Sequence, residues 1–111
     1  MSTLIICTTC ADGQGQVLLE AVENEALARD CSVPIRGQAC LAACQQRCTA
    51  ALQGAGKHSY VLGQLSPDAD CVDALLTVAS EHAEPGDGLL AWARRPQRLK
   101  SSVIARLPPL A

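Results

Sequence analysis

Seven cysteines occur in 111 residues, and five of them fall into two tight groups. Cys7 and Cys10 make a C-x2-C pair near the N-terminus. Cys40, Cys44 and Cys48 share the run Cys40-Leu41-Ala42-Ala43-Cys44-Gln45-Gln46-Arg47-Cys48, which contains a C-x3-C pair. A soft metal or an iron–sulfur cluster needs two such half-sites brought together, because thiolate sulfur is a soft, electron-rich donor. The leading expectation is a four-cysteine [2Fe–2S] site. A plainer alternative treats the cysteines as small buried hydrophobes. It suits one isolated cysteine better than five in two clusters.

Other chemistries fit less well. Cys7-Thr8-Thr9-Cys10 has the spacing of a thiol–disulfide exchange pair, which needs a helix N-terminus beside it to lower a thiol pKa. Here Ala11 to Gln16 stands between the pair and the expected helix, and Asp12 would raise the pKa. Gly13-x-Gly15 after a strand lacks the third glycine of a dinucleotide loop, with Leu18 in its place; it reads as a flexible turn near the cluster. Cys31 and Cys71 are isolated and read as packing residues. A mixed Cys/His site using His58 is a minor alternative, and His82 lies at a helix end. Lys57 and Arg47 flank the expected cluster loop, as solvated side chains or as charges that raise a reduction potential. No serine–histidine–acid set or carboxylate pair is readable.

Composition narrows the partners. The chain is 49% hydrophobic, enough for one core without disulfide staples. Trp92 and Tyr60 are its only aromatic rings, so a base-stacking surface for nucleic acid is not expected. No apolar run approaches membrane-spanning length, and Leu4-Ile5-Ile6 is too short for a signal-peptide core. The expected location is the cytoplasm, where cysteine-rich chains use thiols for metal or redox work rather than disulfides. Charge is uneven: residues 1–93 carry all eleven acidic groups, while Arg94, Arg95, Arg98, Lys100 and Arg106 follow with no acid among them. That basic tail reads as a solvated face, as counter-charge to the acidic body, or as a dock for an acidic redox partner on Arg94, Arg95 and Arg98. A homodimer is a further expectation.

The elements that must position these thiols are readable from periodicity. Ser2 to Cys7 is β-branched and apolar, a short buried strand. Leu18, Val22 and Ala26 recur every four residues in a helix expected over Val17 to Arg29. Ser32 to Ile35 is extended, with Pro34 biasing Val33. Thr49–Leu52 and His58–Leu62 flank Gln53-Gly54-Ala55-Gly56 as a hairpin. Ser66-Pro67-Asp68 starts a second helix, with Ser66 as the capping hydroxyl. Val72, Leu75, Leu76 and Ala79 carry it to about Glu81, before Pro85-Gly86 stops it. Leu89 to Trp92 is expected as a last strand and Pro96 to Lys100 as a helical turn.

The cysteine run itself could be helical from Gln38 to Leu52, with Cys40, Cys44 and Cys48 on one face. Such a helix would separate Cys40 from Cys48 by about 12 Å at 1.5 Å per residue, too far for one compact site. A loop or single turn brings Cys40 and Cys44 together more easily. The expected class is α/β: a two-layer sandwich with a mixed four- to five-stranded sheet, in one domain over residues 1–111.

The motifs carry a resemblance. Cys40-Leu41-Ala42-Ala43-Cys44 resembles the C-x3-C ligand pair of the thioredoxin-like [2Fe–2S] ferredoxins, whose fold also supplies the peripheral cluster subunit of respiratory complex I. In those proteins one cysteine ends the first strand, a second lies in the following loop, and the C-x3-C pair lies on a later loop. The resemblance implies a thioredoxin-like sandwich and the ligand set Cys7, Cys10, Cys40 and Cys44. The same four thiols would also suit a zinc or metal-handling protein. Cys48 is a fifth thiol that those ferredoxins lack at this position, and it stands as a substitute for Cys10. Cys10 is the expected resting ligand because it shares one turn with Cys7.

Nearly the whole chain is similar to an uncharacterised bacterial family of predicted metal-binding proteins. The matching residues are Cys7-Thr8-Thr9-Cys10, Cys40 to Leu52, Gly56-Lys57-His58-Ser59-Tyr60-Val61-Leu62-Gly63, Arg95-Pro96 and Ala105-Arg106-Leu107-Pro108-Pro109. That resemblance implies a cobalamin-biosynthesis context, without naming a reaction. The cysteine set and the ferredoxin resemblance together lead us to expect a one-electron carrier or redox accessory protein.

Overall fold

A computed structural model describes residues 2–9, 13–39 and 47–109. In chain order the elements are β1 (Ser2–Cys7), α1 (Gln14–Ala28), β2 (Ile35–Gln38), β3 (Cys48–Gly54), β4 (Ser59–Leu65), α2 (Ala69–Ala83) and β5 (Val103–Leu107). Single 3-10 turns at Trp92–Arg94 and Gln97–Leu99 lie between α2 and β5. The five strands form one mixed sheet in the order β2-β1-β3-β4-β5. β1 and β2 are parallel, which requires a crossover, and α1 supplies it. The other neighbours are antiparallel.

Alternation along the strands separates two faces. Leu4, Ile6, Ala50, Leu52, Tyr60 and Leu62 are buried in one core with Leu18 and Val22 of α1 and with Leu75, Leu76 and Ala79 of α2. Both helices therefore cover the same face, giving the expected two-layer α/β sandwich. On the other face one row crosses the sheet: Arg36 beside Ile5, Ile5 opposite Ala51, Ala51 opposite Val61, Val61 opposite Ala105.

The strand over residues 2–7 and the hairpin form as the pattern predicts. Several details differ. α1 begins at Gln14, not Val17, because Gly13 takes a left-handed conformation (φ 95°) that lets the helix start directly out of the loop. It ends with Asp30 in the left-handed region and the Cys31 N–H bonded to the Ala26 carbonyl. The extended stretch expected at 32–35 is displaced, and β2 occupies Ile35–Gln38. The cap of α2 is Asp68, not Ser66. Its carboxylate accepts the Cys71 N–H at 3.1 Å, and the Ser66 hydroxyl donates to Asp68. That bond from Ser66, and the one from Cys71, hold the Asp68 carboxyl below its usual pKa.

Leu89 to Trp92 is not a strand. The Leu90 N–H is given to the Tyr60 hydroxyl rather than to a ladder, and the free edge of β4 is taken by β5. The helical turn expected after Pro96 is present at Gln97–Leu99.

Candidate metal centre

Connectivity brings the thiol-bearing segments to one end of the sheet. β1 and β2 run parallel, so Cys7 lies beside Gln38. β3 runs against β1 and so begins at that end, with Cys48 as its first residue. β4 returns to the same end, where Leu65 is opposite Cys48. α1 is the next element after β1 and α2 the next after β4; the first turn of α1 packs on the Cys7 backbone and the Ser66 N–H before α2 bonds Cys71 Sγ, so both helices start from that end.

Cys7 is fully buried. Its Sγ lies 3.9 Å from the Ala39 carbonyl oxygen, a weak S–H donation, and 3.7 Å from Thr9 Oγ1. Thr9 donates to the same Ala39 carbonyl. The Thr8 N–H donates to the Gln38 carbonyl at 2.9 Å. These bonds tie the exit of β1 to the exit of β2, and Cys40 is the residue after Ala39. Residue types 8–9 and 39 carried no signal of this role beyond their place next to cysteines.

The start of α1 is packed on this junction. A Cβ at Gly15 would fall 2.0 Å from the Cys7 carbonyl oxygen. Gly15 is thus a close-approach residue inside the helix, not part of a flexible turn. The helix also starts nearer to Cys7 than the intervening residues 11–16 suggested.

Cys48 and Cys71 are buried as well. Both belong to the buried core shared by sheet and helices. Burial pushes the Cys48 thiol up; the exposed Arg47 guanidinium opposes this, while Cys7 and Cys71 add to it. Burial also pushes Cys71 up, against the Ser66 N–H that bonds its sulfur at 3.5 Å. Both are neutral thiols near neutral pH. Cys71 packs as expected, and Cys31 packs partly buried at the edge of the core. A helix over Gln38 to Leu52 does not exist, because Gln38 ends β2 and Cys48 begins β3.

Cys10, Cys40 and Cys44 lie outside the described residues, as does Asp12. Among the described residues, no group of three or more His, Cys, Asp or Glu side chains is placed to hold a metal ion. Among the described residues, no cysteine of the two groups stands near His58. His58 lies beyond the β3–β4 turn, and Cys48 is at the other end of β3, about 20 Å away at 3.3 Å per residue. Lys57 shares that remote end. It is buried, and its ammonium donates to the His82 and Glu84 carbonyls at 2.6 Å each, so it closes the C-terminus of α2 rather than flanking the cysteines.

The basic tail divides in two. Arg95 donates to the Leu90 carbonyl and stacks over the Tyr60 ring at 5.6 Å. Arg98 donates to the Gln64 carbonyl at 2.9 Å and to Ser66 Oγ at 3.1 Å, at the cysteine end. Both hold the 92–100 segment to the body. Arg94 is exposed, with Glu81 at 4.0 Å, and Arg106 is exposed on the edge strand β5. Among the described residues, no helix is long and apolar enough to cross a membrane.

A family model described as a protein of unknown function, DUF1636, matches residues 4–109. No curated protein and no solved structure matches the chain.

Proposed function

The chain belongs to the DUF1636 family of proteins of unknown function, and from that premise we propose that it binds a [2Fe–2S] cluster as a one-electron carrier or redox accessory protein. The ligands in this reading are Cys7, Cys10, Cys40 and Cys44. One observation carries it: the buried Cys7 thiol is held against Ala39, the residue before Cys40. The two half-sites read from spacing therefore leave the sheet from adjacent strand ends. The connectivity β1-α1-β2 followed by β3-β4-α2 also supports the thioredoxin-like ferredoxin resemblance.

The start of α1 lies against Cys7, and positive dipole ends favour an anionic sulfur. Cys10 shares one turn with Cys7 in sequence and is the fourth ligand in this reading, with Cys48 as its substitute. When bound, such a cluster supplies reversible one-electron exchange, tuned by burial and by N–H···S bonds. A cobalamin-biosynthesis context, a cytoplasmic location and an acidic redox partner belong to the same proposal.

Anaerobic purification tests it. A brown protein with visible absorption and about two irons and two sulfides per chain supports the cluster. A colourless protein with one zinc bound overturns it in favour of the zinc reading. Cys44→Ser keeping the full cofactor would end the ligand assignment.

A further inference from the structure

The sheet face that the helices leave uncovered holds a concavity of about 400 Å³. It lies toward the β3–β4 turn, at the end of the sheet away from Cys7 and Cys48. Thr3 and Gln53 are opposite one another in the β1–β3 ladder, and Cys48 is at the other end of that strand. Its lining includes Thr3, Ile5, Arg36, Gln53, Ser59 and Pro108, with the backbone of the turn at 54–56.

Three features of this hollow point to one ligand chemistry. First, it is charged with one sign. Among the described residues, Arg36 and Lys57 line it and no acidic residue does, although the chain as a whole is net negative. The Lys57 ammonium is directed behind the turn to two carbonyls, which leaves Arg36 as the charge facing the hollow. Second, Arg36 is not spent on the fold. The ion pairs among the described residues use Arg29, His58 and Arg94. Third, hydroxyls at Thr3 and Ser59 and an amide at Gln53 line the same hollow, Thr3 on the neighbouring strand and Gln53 on the one beyond it, with Ile5 and Pro108 as apolar wall. A guanidinium fork with neutral donors beside it matches the planar or tetrahedral oxygens of a small oxyanion. The volume is that of a small-ligand pocket.

The geometry points to a binding site for a small organic oxyanion, carboxylate or phosphate, held by Arg36 with Thr3 and Gln53. The site stands independently of the cluster. Thr3, Gln53 and the 54–56 turn lie at the end of the sheet away from Cys48, and anion-dependent amide shifts there are read separately from cofactor content.

Backbone amide shifts of the purified protein, titrated separately with succinate and with inorganic phosphate against matched sodium chloride, provide the test. The expected result is a saturable shift at Thr3, Gln53, Ser59 and the 54–56 turn with at least one anion, weakened about tenfold or more in Arg36→Gln. The anion that binds more tightly identifies the headgroup. Arg36 is exposed on an edge strand, so the variant should fold; Gln53→Ala, also at an exposed position, gives a second, milder loss. Absence of saturation with both anions, shifts reproduced by sodium chloride alone, or equal binding by Arg36→Gln would each overturn the proposal.

Discussion

A Cβ on Gly15 would stand 2.0 Å from the carbonyl oxygen of Cys7. The first turn of α1 and the last residue of β1 therefore meet backbone to backbone, and only glycine permits it. Gly15→Ala should raise intrinsic helix propensity by about 1 kcal/mol and still destabilise the protein, by about 1–3 kcal/mol, because the helix must lift off the strand. Cofactor content should fall with stability. Urea unfolding and iron content measured on the same samples check this, and an unchanged midpoint would show that the junction yields cheaply.

Cys10→Ala and Cys48→Ala separate the two candidates for the fourth ligand. Two residues separate Cys7 from Cys10, which lets both reach one iron with little loop ordering, so the expected pattern is cluster loss in the first variant and retention in the second. The reverse pattern makes Cys48 the ligand. Retention in both means that each substitutes for the other.

Ser2 Oγ and His82 Nδ1 are 2.6 Å apart, and His82 Nε2 donates to the His58 carbonyl at the same distance. Burial holds the His82 pKa below its ordinary value; the bond to His58 opposes this, and the Lys57 charge adds to it. A depressed histidine means that the unfolded chain binds a proton the folded chain refuses. Stability from this site is complete above about pH 6.5 and is lost as pH falls through that value. The urea midpoint should drop between about pH 7.5 and pH 5.5, and the drop should shrink in His82→Gln. Equal drops in both proteins would assign the pH dependence to other groups.

Arg98 and Arg94 should behave differently. Arg98→Gln removes bonds to Gln64 and Ser66 and should cost about 1–2 kcal/mol in unfolding measurements. Arg94→Gln loses an exposed 4.0 Å pair and should stay within about 0.5 kcal/mol. If the tail docks an acidic redox partner, Arg94→Gln with Arg106→Gln should slow association, most at low ionic strength. Association rates that ignore both changes would remove the docking role.

Local pattern determined much of this protein. The apolar repeat of Val72, Leu75, Leu76 and Ala79 is a helix because side chains three and four apart share a face, whatever lies beneath. The glycine-rich turn between two apolar runs specified the β3–β4 hairpin for a similarly local reason. Spacing alone grouped Cys7 with Cys10 and Cys40 with Cys44. Long-range pairing decided the rest. Val103–Leu107 is a strand because β4 offers it an edge, whereas Leu89–Trp92 has a comparable composition and no ladder to join. Lys57 looked like a neighbour of the cysteines in sequence. The direction of β3 carries it to the opposite end, where its charge closes α2. The parallel pairing of β1 with β2 set Cys7 against Ala39, and no periodicity within either strand encodes that contact.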